Sequence, residues 1–273
     1  MTILQAIILG VIQGATEFIP ISSSGHLVIT PLFLGWSIAP QEAFVFDVLV
    51  QVATLAAVLV YFWDDLRSIG SSWFRGILTG KPFQSLQSRL GWFLILATIP
   101  AGIAALLFKD TFELAFSDPR SSAIFLIFTG IILWGAEQAP ARNRSVTDLN
   151  GYDVLLIGLF QTLALFPGVS RSGSTITGGM FRGLTRKGAA RFSFLMSVPI
   201  MLAAGVLAGY DLLQVDSLIS QLPVYLAGFV TAAVVGYLSI RWLLKYLSTR
   251  PLTVFSLYCL SMGTFTLAFL IWS

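Results

Sequence analysis

An all-α polytopic membrane protein is predicted, an inverted-topology repeat with six transmembrane helices and two re-entrant helical hairpins. Three observations predict it. Of the 273 residues, 56% are hydrophobic and only 11% charged, with a mean hydropathy of +0.85. A soluble domain carries about 25% charge, and a soluble protein this poor in charge would have little to cover its surface with. Six apolar runs, at about 43–63, 89–108, 121–137, 193–213, 221–240 and 252–272, reach or nearly reach the roughly 20 residues that a spanning helix needs. Finally, LGVIQGATEFIPISSSG (Leu9–Gly25) and IGLFQTLALFPGVSRSG (Ile157–Gly173) align without a gap at an offset of 148 residues. Six of their seventeen positions are identical: Gly10/Gly158, Gln13/Gln161, Phe18/Phe166, Ser22/Ser170, Ser24/Ser172 and Gly25/Gly173.

The first element in the chain is the first of these copies. An apolar run leads to a cluster of Pro, Ser and Gly, then to a short second run. Pro20 would break a helix there, as Pro167 would in the second copy, and Gly25, Gly168 and Gly173 would ease the turns. Broken backbone at membrane depth is tolerable only where protein or a wet cavity surrounds it. Residues 2–36 and 152–181 are therefore read as hairpins that enter and leave on one side. No basic region precedes the first apolar run and no clear cleavage site follows it, so a removed signal peptide is not expected.

Three full crossings separate the hairpins, and an odd number inverts the second copy relative to the first. The chain reads as one membrane domain, residues 1–273, with repeat halves of about 1–108 and 149–240. The 121–137 run connects them, and 252–272 is the last transmembrane helix. The loops near 64–90, 138–152, 182–192 and 241–251 should share one side, and they hold 13 of the 16 basic residues. The opposite side has only Lys109 and Arg120. That asymmetry places the basic loops in the cytoplasm and both termini outside. The first hairpin would then enter from the outer side and the second from the cytoplasm, with their tips meeting near the bilayer centre.

Ionisable residues at membrane depth are functional by default. Gln13 and Glu17 are four apart and share a helix face. After them comes Ser22-Ser23-Ser24-Gly25-His26, where hydroxyls, the only imidazole in the chain and exposed N–H groups could gather around an anion. The alternative is a capping cluster at a helix break, with Glu17 paired structurally. In the second copy, PGVSRSGST (Pro167–Thr175) sets the Arg171 guanidinium among Ser170, Ser172, Ser174 and Thr175. A guanidinium fork matches phosphate oxygens, and its burial demands a carboxylate or an anionic ligand. Glu17 could supply the first and a lipid phosphate the second; a Glu17–Arg171 pair that only locks the hairpins together is the alternative.

Asp47 and Gln51 also share a face and could hold hydrogen bonds or metal-bound waters behind the site, or serve only packing. Thr54 and Thr177 are placed in the same wet region. Asp64 and Asp65 read as a charged helix end, and Arg182, Arg186, Lys187 and Arg191 as a cytoplasmic lipid-facing belt. The single cysteine, Cys259, argues against disulfides and a thiolate metal site. No HExxH and no Walker loop occurs, and no aromatic-basic pattern suggests nucleic acid.

The Gln13-xxx-Glu17 helix, the Ser22–His26 run and PGVSRSGST together resemble the undecaprenyl-diphosphate phosphatase family, linked to bacitracin resistance, over essentially the whole chain. The resemblance implies a bacterial inner-membrane enzyme that hydrolyses undecaprenyl diphosphate to the monophosphate, with a divalent ion, Mg²⁺ or Ca²⁺, and a pocket at the outer face. It assigns Glu17, His26 and Arg171 to the site, with Ser22, Ser23, Ser170, Ser172, Gly173, Ser174 and Thr175 around the phosphate. Glu17 would hold the metal, and Gln13 would reach it through water. The family's first helix commonly presents two glutamates, and here the first is Gln13, a poor anionic ligand. The attacker is left open among Ser22, Ser23, His26 and water. Partners are the lipid diphosphate and membrane lipid, with a homodimer left open. A polyprenyl-phosphate transporter or flippase using the same inverted-repeat pocket is the alternative reading.

Overall fold

The computed structural model of the protein describes residues 1–116, 118–140, 142–212 and 221–272. Among these, twelve α-helices follow one another. The first four are α1 (Ile3–Thr16), α2 (Ser23–Phe33), α3 (Pro40–Tyr61) and α4 (Trp63–Leu78). Next come α5 (Leu86–Leu107), α6 (Lys109–Phe116), α7 (Pro119–Glu137) and α8 (Gly151–Leu163). The last are α9 (Arg171–Phe181), α10 (Arg186–Leu212), α11 (Leu222–Tyr246) and α12 (Thr253–Trp272).

Six of them, α3, α5, α7, α10, α11 and α12, are long and apolar enough to cross a membrane, so the chain is a multi-pass helical bundle. Large apolar side chains such as Leu4, Val60, Leu106, Val206 and Trp272 stay exposed on its flanks, as lipid contact requires. The crossings extend beyond the apolar runs: α3 begins at Pro40 because Pro suits a first helical turn, and α11 continues to Tyr246. The run expected at 193–213 opens earlier, at Arg186, and its residue 213 lies outside the described residues. One expectation is corrected. The 64–90 stretch, read as a loop, contains α4, which packs on α5. Leu66, Ile69, Trp73 and Gly76 recur at helical spacing and turn inward, but the helix is too short and too charged to register as a crossing.

α1 and α2 differ from the crossings. At about 1.5 Å per residue, their 14 and 11 residues reach only about 21 and 16 Å, against about 30 Å of hydrocarbon. A capping box starts α1: the Thr2 hydroxyl accepts from the Gln5 N–H (3.2 Å) and the Gln5 side chain accepts from the Thr2 N–H (2.8 Å). α8 starts on the same device, built from Asn150 and Asp153. The bounds of α2 and α9 coincide at the 148-residue offset, Ser23–Phe33 against Arg171–Phe181.

Packing repeats the correspondence. α1 lies along α11 and α8 along α5, and in each contact the matched glycine lets backbones touch. A Cβ on Gly10 would sit 2.6 Å from the Gly228 carbonyl oxygen, and one on Gly158 2.7 Å from that of Ala97. Small residues are the usual currency of such contacts in lipid. At the end of the bundle holding the basic loops, two carboxylates hold the connections. Asp153, fully buried, accepts from Arg144 and Arg182 at 2.6 Å each. Glu137 accepts from Arg142, Arg186 and the Leu252 N–H.

Candidate active site

The two breaks, α1–α2 and α8–α9, bring their tips together. The Gly168 N–H donates to Ser24 Oγ at 3.4 Å, and a Cβ on Gly25 would lie 3.1 Å from the Gly168 Cα. Thr129 of α7 clamps the second tip, donating to the Gly168 carbonyl and accepting from the Ser170 N–H, each at 3.0 Å. Both tips close the same way. Ser22 Oγ accepts from the Gly25 N–H (3.3 Å) and lies 3.4 Å from Ser24 Oγ. Ser170 Oγ accepts from the Gly173 N–H (3.0 Å) and lies 3.2 Å from Ser172 Oγ. Serine is a strong N-cap because its hydroxyl satisfies an otherwise orphaned N–H.

The first residues of the two short helices are then Ser23 and Arg171, matched positions of the repeat. The positive ends of two helix dipoles therefore converge at the tips, an arrangement that favours an anion. Between them stands Glu17, at the end of α1. One carboxylate oxygen accepts from Arg171 Nη2 at 2.8 Å; the other accepts from Ser23 Oγ at 2.7 Å and from Gln13 Nε2 at 3.1 Å. Arg171 also donates to the Ser193 carbonyl at 3.3 Å, and Thr175 Oγ1 bonds both the Arg171 carbonyl (2.8 Å) and Ser193 Oγ (2.6 Å). α10 thus holds the guanidinium from behind.

A cavity of about 180 Å³ opens onto this pair. Its polar wall is Glu17, Ser23, Ser24, Gln51, Gln161 and Arg171, and its apolar wall includes Phe116 and Met201. Other expected residues lie elsewhere. Ser170, Ser172, Gly173, Ser174 and Thr175 are buried behind the α9 start and do not line it. Neither do Asp47 and Thr54, the latter spending its hydroxyl on the Val50 and Gln51 carbonyls. His26 is turned away. Its Nδ1 lies 2.7 Å from the Ser22 carbonyl, which can only accept, so Nδ1 carries the proton. Nε2 then accepts from the Tyr258 hydroxyl, also at 2.7 Å. Ser22 is the one described non-glycine residue with positive φ, at 72°, and this strained backbone aims its carbonyl at the ring.

Two residues were missed from the sequence. Tyr258, on α12, has no local signal, for it lies 232 residues from its partner. Gln161 had one, as the repeat mate of Gln13. Its Nε2 donates to the Ala97 carbonyl at 3.2 Å, which orients the amide, while its Oε1 is buried without a partner. Gln13 Oε1 is likewise unpaired.

The comparisons agree on one family. The family described as bacitracin resistance protein BacA matches residues 6–265. The chain is similar to the undecaprenyl-diphosphatase of Chloroherpeton thalassium, 44% identical over 285 residues that cover 99% of this chain and 97% of that protein. It is similar to that of Chlorobium phaeovibrioides at 43% over 281 residues, covering 99% and 98%. The same holds for that of Thermomicrobium roseum, at 40% over 270 residues, covering 96% of each.

Proposed function

The chain belongs to the bacitracin resistance protein BacA family, and on that footing we propose that it hydrolyses undecaprenyl diphosphate to undecaprenyl phosphate and inorganic phosphate at the cavity that Glu17 and Arg171 line. The observation that carries this reading is their 2.8 Å contact across 154 residues of chain, at the mouth of a cavity and under two helix N-termini. The relatives' shared name, undecaprenyl-diphosphatase, favours hydrolysis over the transport alternative.

The hairpins are re-entrant and the halves inverted, residues 1–108 against 149–240. Support comes from the coincident bounds of α2 and α9 and from the mirrored packing of α1 on α11 and α8 on α5. The basic loops face the cytoplasm of a bacterial inner membrane and both termini face outward. The Phe116 wall of the cavity belongs to the end remote from those loops, so the cavity opens outward. The prenyl tail lies along the apolar wall in hydrocarbon, and the diphosphate enters the polar side.

Glu17 and the Ser193 carbonyl occupy two of the five N–H donors of Arg171. Those remaining, with the helix-start N–H groups, bind the equatorial oxygens of the terminal phosphoryl group and stabilise their charge. Ser23 Oγ, already donating to Glu17, is poised as nucleophile and base are. Its bond to the terminal phosphorus forms as the anhydride P–O bond breaks. The electron pair leaves on undecaprenyl phosphate, the proton passes to Glu17, and water then hydrolyses the phosphoseryl group. Direct attack by water on the same base is the second route. Ser22, spent on capping, and His26, held by Tyr258, are the less suited attackers.

The oxygen donors here, the Glu17 carboxylate and the unpaired amide oxygen of Gln13, fit a hard divalent cation, Mg²⁺ or Ca²⁺. A single carboxylate suits an ion that takes its other ligands from water and phosphate. Such an ion supplies charge neutralisation of the diphosphate.

Purified protein given a short-chain prenyl diphosphate should release inorganic phosphate in a divalent-dependent reaction. Labelled lipid crossing liposomes with no phosphate formed would replace this reading with transport. In Glu17→Gln, the ion concentration for half-maximal turnover should rise about tenfold or more; an unchanged titration would leave Glu17 a purely structural residue. Gln161 Oε1 can only accept, so it binds a donor, such as the attacking water, and not phosphate oxygen. Gln161→Leu should therefore lower kcat about 100-fold. The melting temperature should hold or rise, since a buried unpaired acceptor is removed. Full activity in that variant would assign the amide to packing alone.

A further inference from the structure

At the end of the bundle remote from the catalytic cavity lies a second, larger cleft, about 530 Å³, among Arg142, Thr185, Arg186, Lys187, Leu247 and Ser248. We infer that it binds the phosphate group of an anionic lipid headgroup.

The charges do not cancel. Glu137, whose side chain is only 7% exposed, is among the described residues the one carboxylate that holds the cleft's guanidiniums. It accepts from Arg186 Nε at 2.7 Å and from Arg142 Nη1 at 2.9 Å. The Leu252 N–H, at 2.8 Å, fixes the carboxylate in turn. Both guanidiniums are therefore set in place while part of each donor fork is unspent. Adding exposed Lys187 makes three cations to one anion, a surplus of two positive charges around a space that a phosphate fills. Pre-set guanidiniums lose little freedom on binding, and their geometry matches phosphate oxygens.

Depth points to a lipid as the source. The cleft sits where α7 ends, α10 begins and α11 ends. One turn back on α11, Trp242 is 47% exposed and stacks on Tyr246 with ring centroids 5.1 Å apart. An exposed Trp stacked on a half-buried Tyr at a helix end marks the headgroup level of a bilayer. Leu247, buried, provides the apolar side of the cleft. The site is independent of the hydrolytic reading, since it shares no residue with the catalytic cavity.

The test is native mass spectrometry of the purified full-length protein titrated with phosphatidic acid, with phosphatidylcholine, and separately with inorganic phosphate. The wild type should retain phosphatidic acid in preference to phosphatidylcholine. Arg142→Gln combined with Lys187→Gln should weaken that retention roughly 30-fold, the factor that two charges near a membrane surface supply. Phosphate release from a prenyl diphosphate should be unchanged. Equal retention by wild type and variant would overturn the proposal. Inorganic phosphate bound with the variant's sensitivity, while phosphatidic acid is not, would overturn the lipid source. Should the double variant melt early, Lys187→Glu alone, which leaves the Glu137 contacts intact, must still weaken retention.

Discussion

Arg171→Ala is expected to lower phosphate release by about 10³-fold or more at saturating lipid, the range seen when a guanidinium is removed from phosphoryl transfer. No other cation among the described residues lines the cavity, so nothing in the wall can take over. The loss should appear in kcat, because the charge it meets grows at the transition state. The variant also leaves Glu17, 9% exposed, without its ion-pair partner, and stranding a buried charge costs about 3 kcal/mol or more. Ser23 and Gln13 still donate to that carboxylate, which softens the cost. A lock and a catalyst are then separable. Arg171→Ala with Glu17→Gln removes both charges and should recover melting temperature while activity stays absent. Recovery of turnover along with stability would reduce the pair to a structural clamp, as would near-normal turnover in the single variant.

Gly168→Ala is expected to damage both stability and activity. Gly168 has φ +93°, a conformation open to glycine and costly for any residue with a Cβ. Its Cβ would also overlap the Ser122 carbonyl oxygen, with the Ser122 Cα only 3.0 Å away. Those atoms are backbone of α7 and cannot rotate aside. The tip must move, and it carries Ser170 and Arg171, two and three residues on. A loss of about 3 kcal/mol or more follows from backbone strain and overpacking together. Gly102→Ala is the control, since that position opens on empty space and should be neutral. Melting curves and phosphate release of the two variants measure it; a Gly168→Ala protein as stable as Gly102→Ala would mean that α7 yields freely at the tips.

Much of this was legible in the residues. A 56% hydrophobic, 11% charged chain has little to cover a surface with in water, and six helices long and apolar enough to cross emerged near the expected places. The gapless copies marked Glu17, Ser23 and Arg171 because charge and hydroxyls in an apolar run need a reason. The hydroxyls of Ser22, Ser170, Ser172 and Thr175 could not be sorted in the same way. A serine before a helix caps it or faces a ligand with equal ease, and only packing chooses. α4 escaped because a charged helix of 16 residues lacks the apolar run by which crossings are recognised.

Local sequence decided where helices stop, which residues are charged at depth, and that the second tip repeats the first, since Pro, Gly and Ser act within a turn or two of themselves. Tertiary packing alone decided that Glu17 meets Arg171 while His26 meets Tyr258, and that the amide oxygen of Gln161 is buried without a partner. Those contacts join residues 154, 232 and 64 apart, and their partners are set by how whole helices lie against one another in a medium where backbone pairing is already spent.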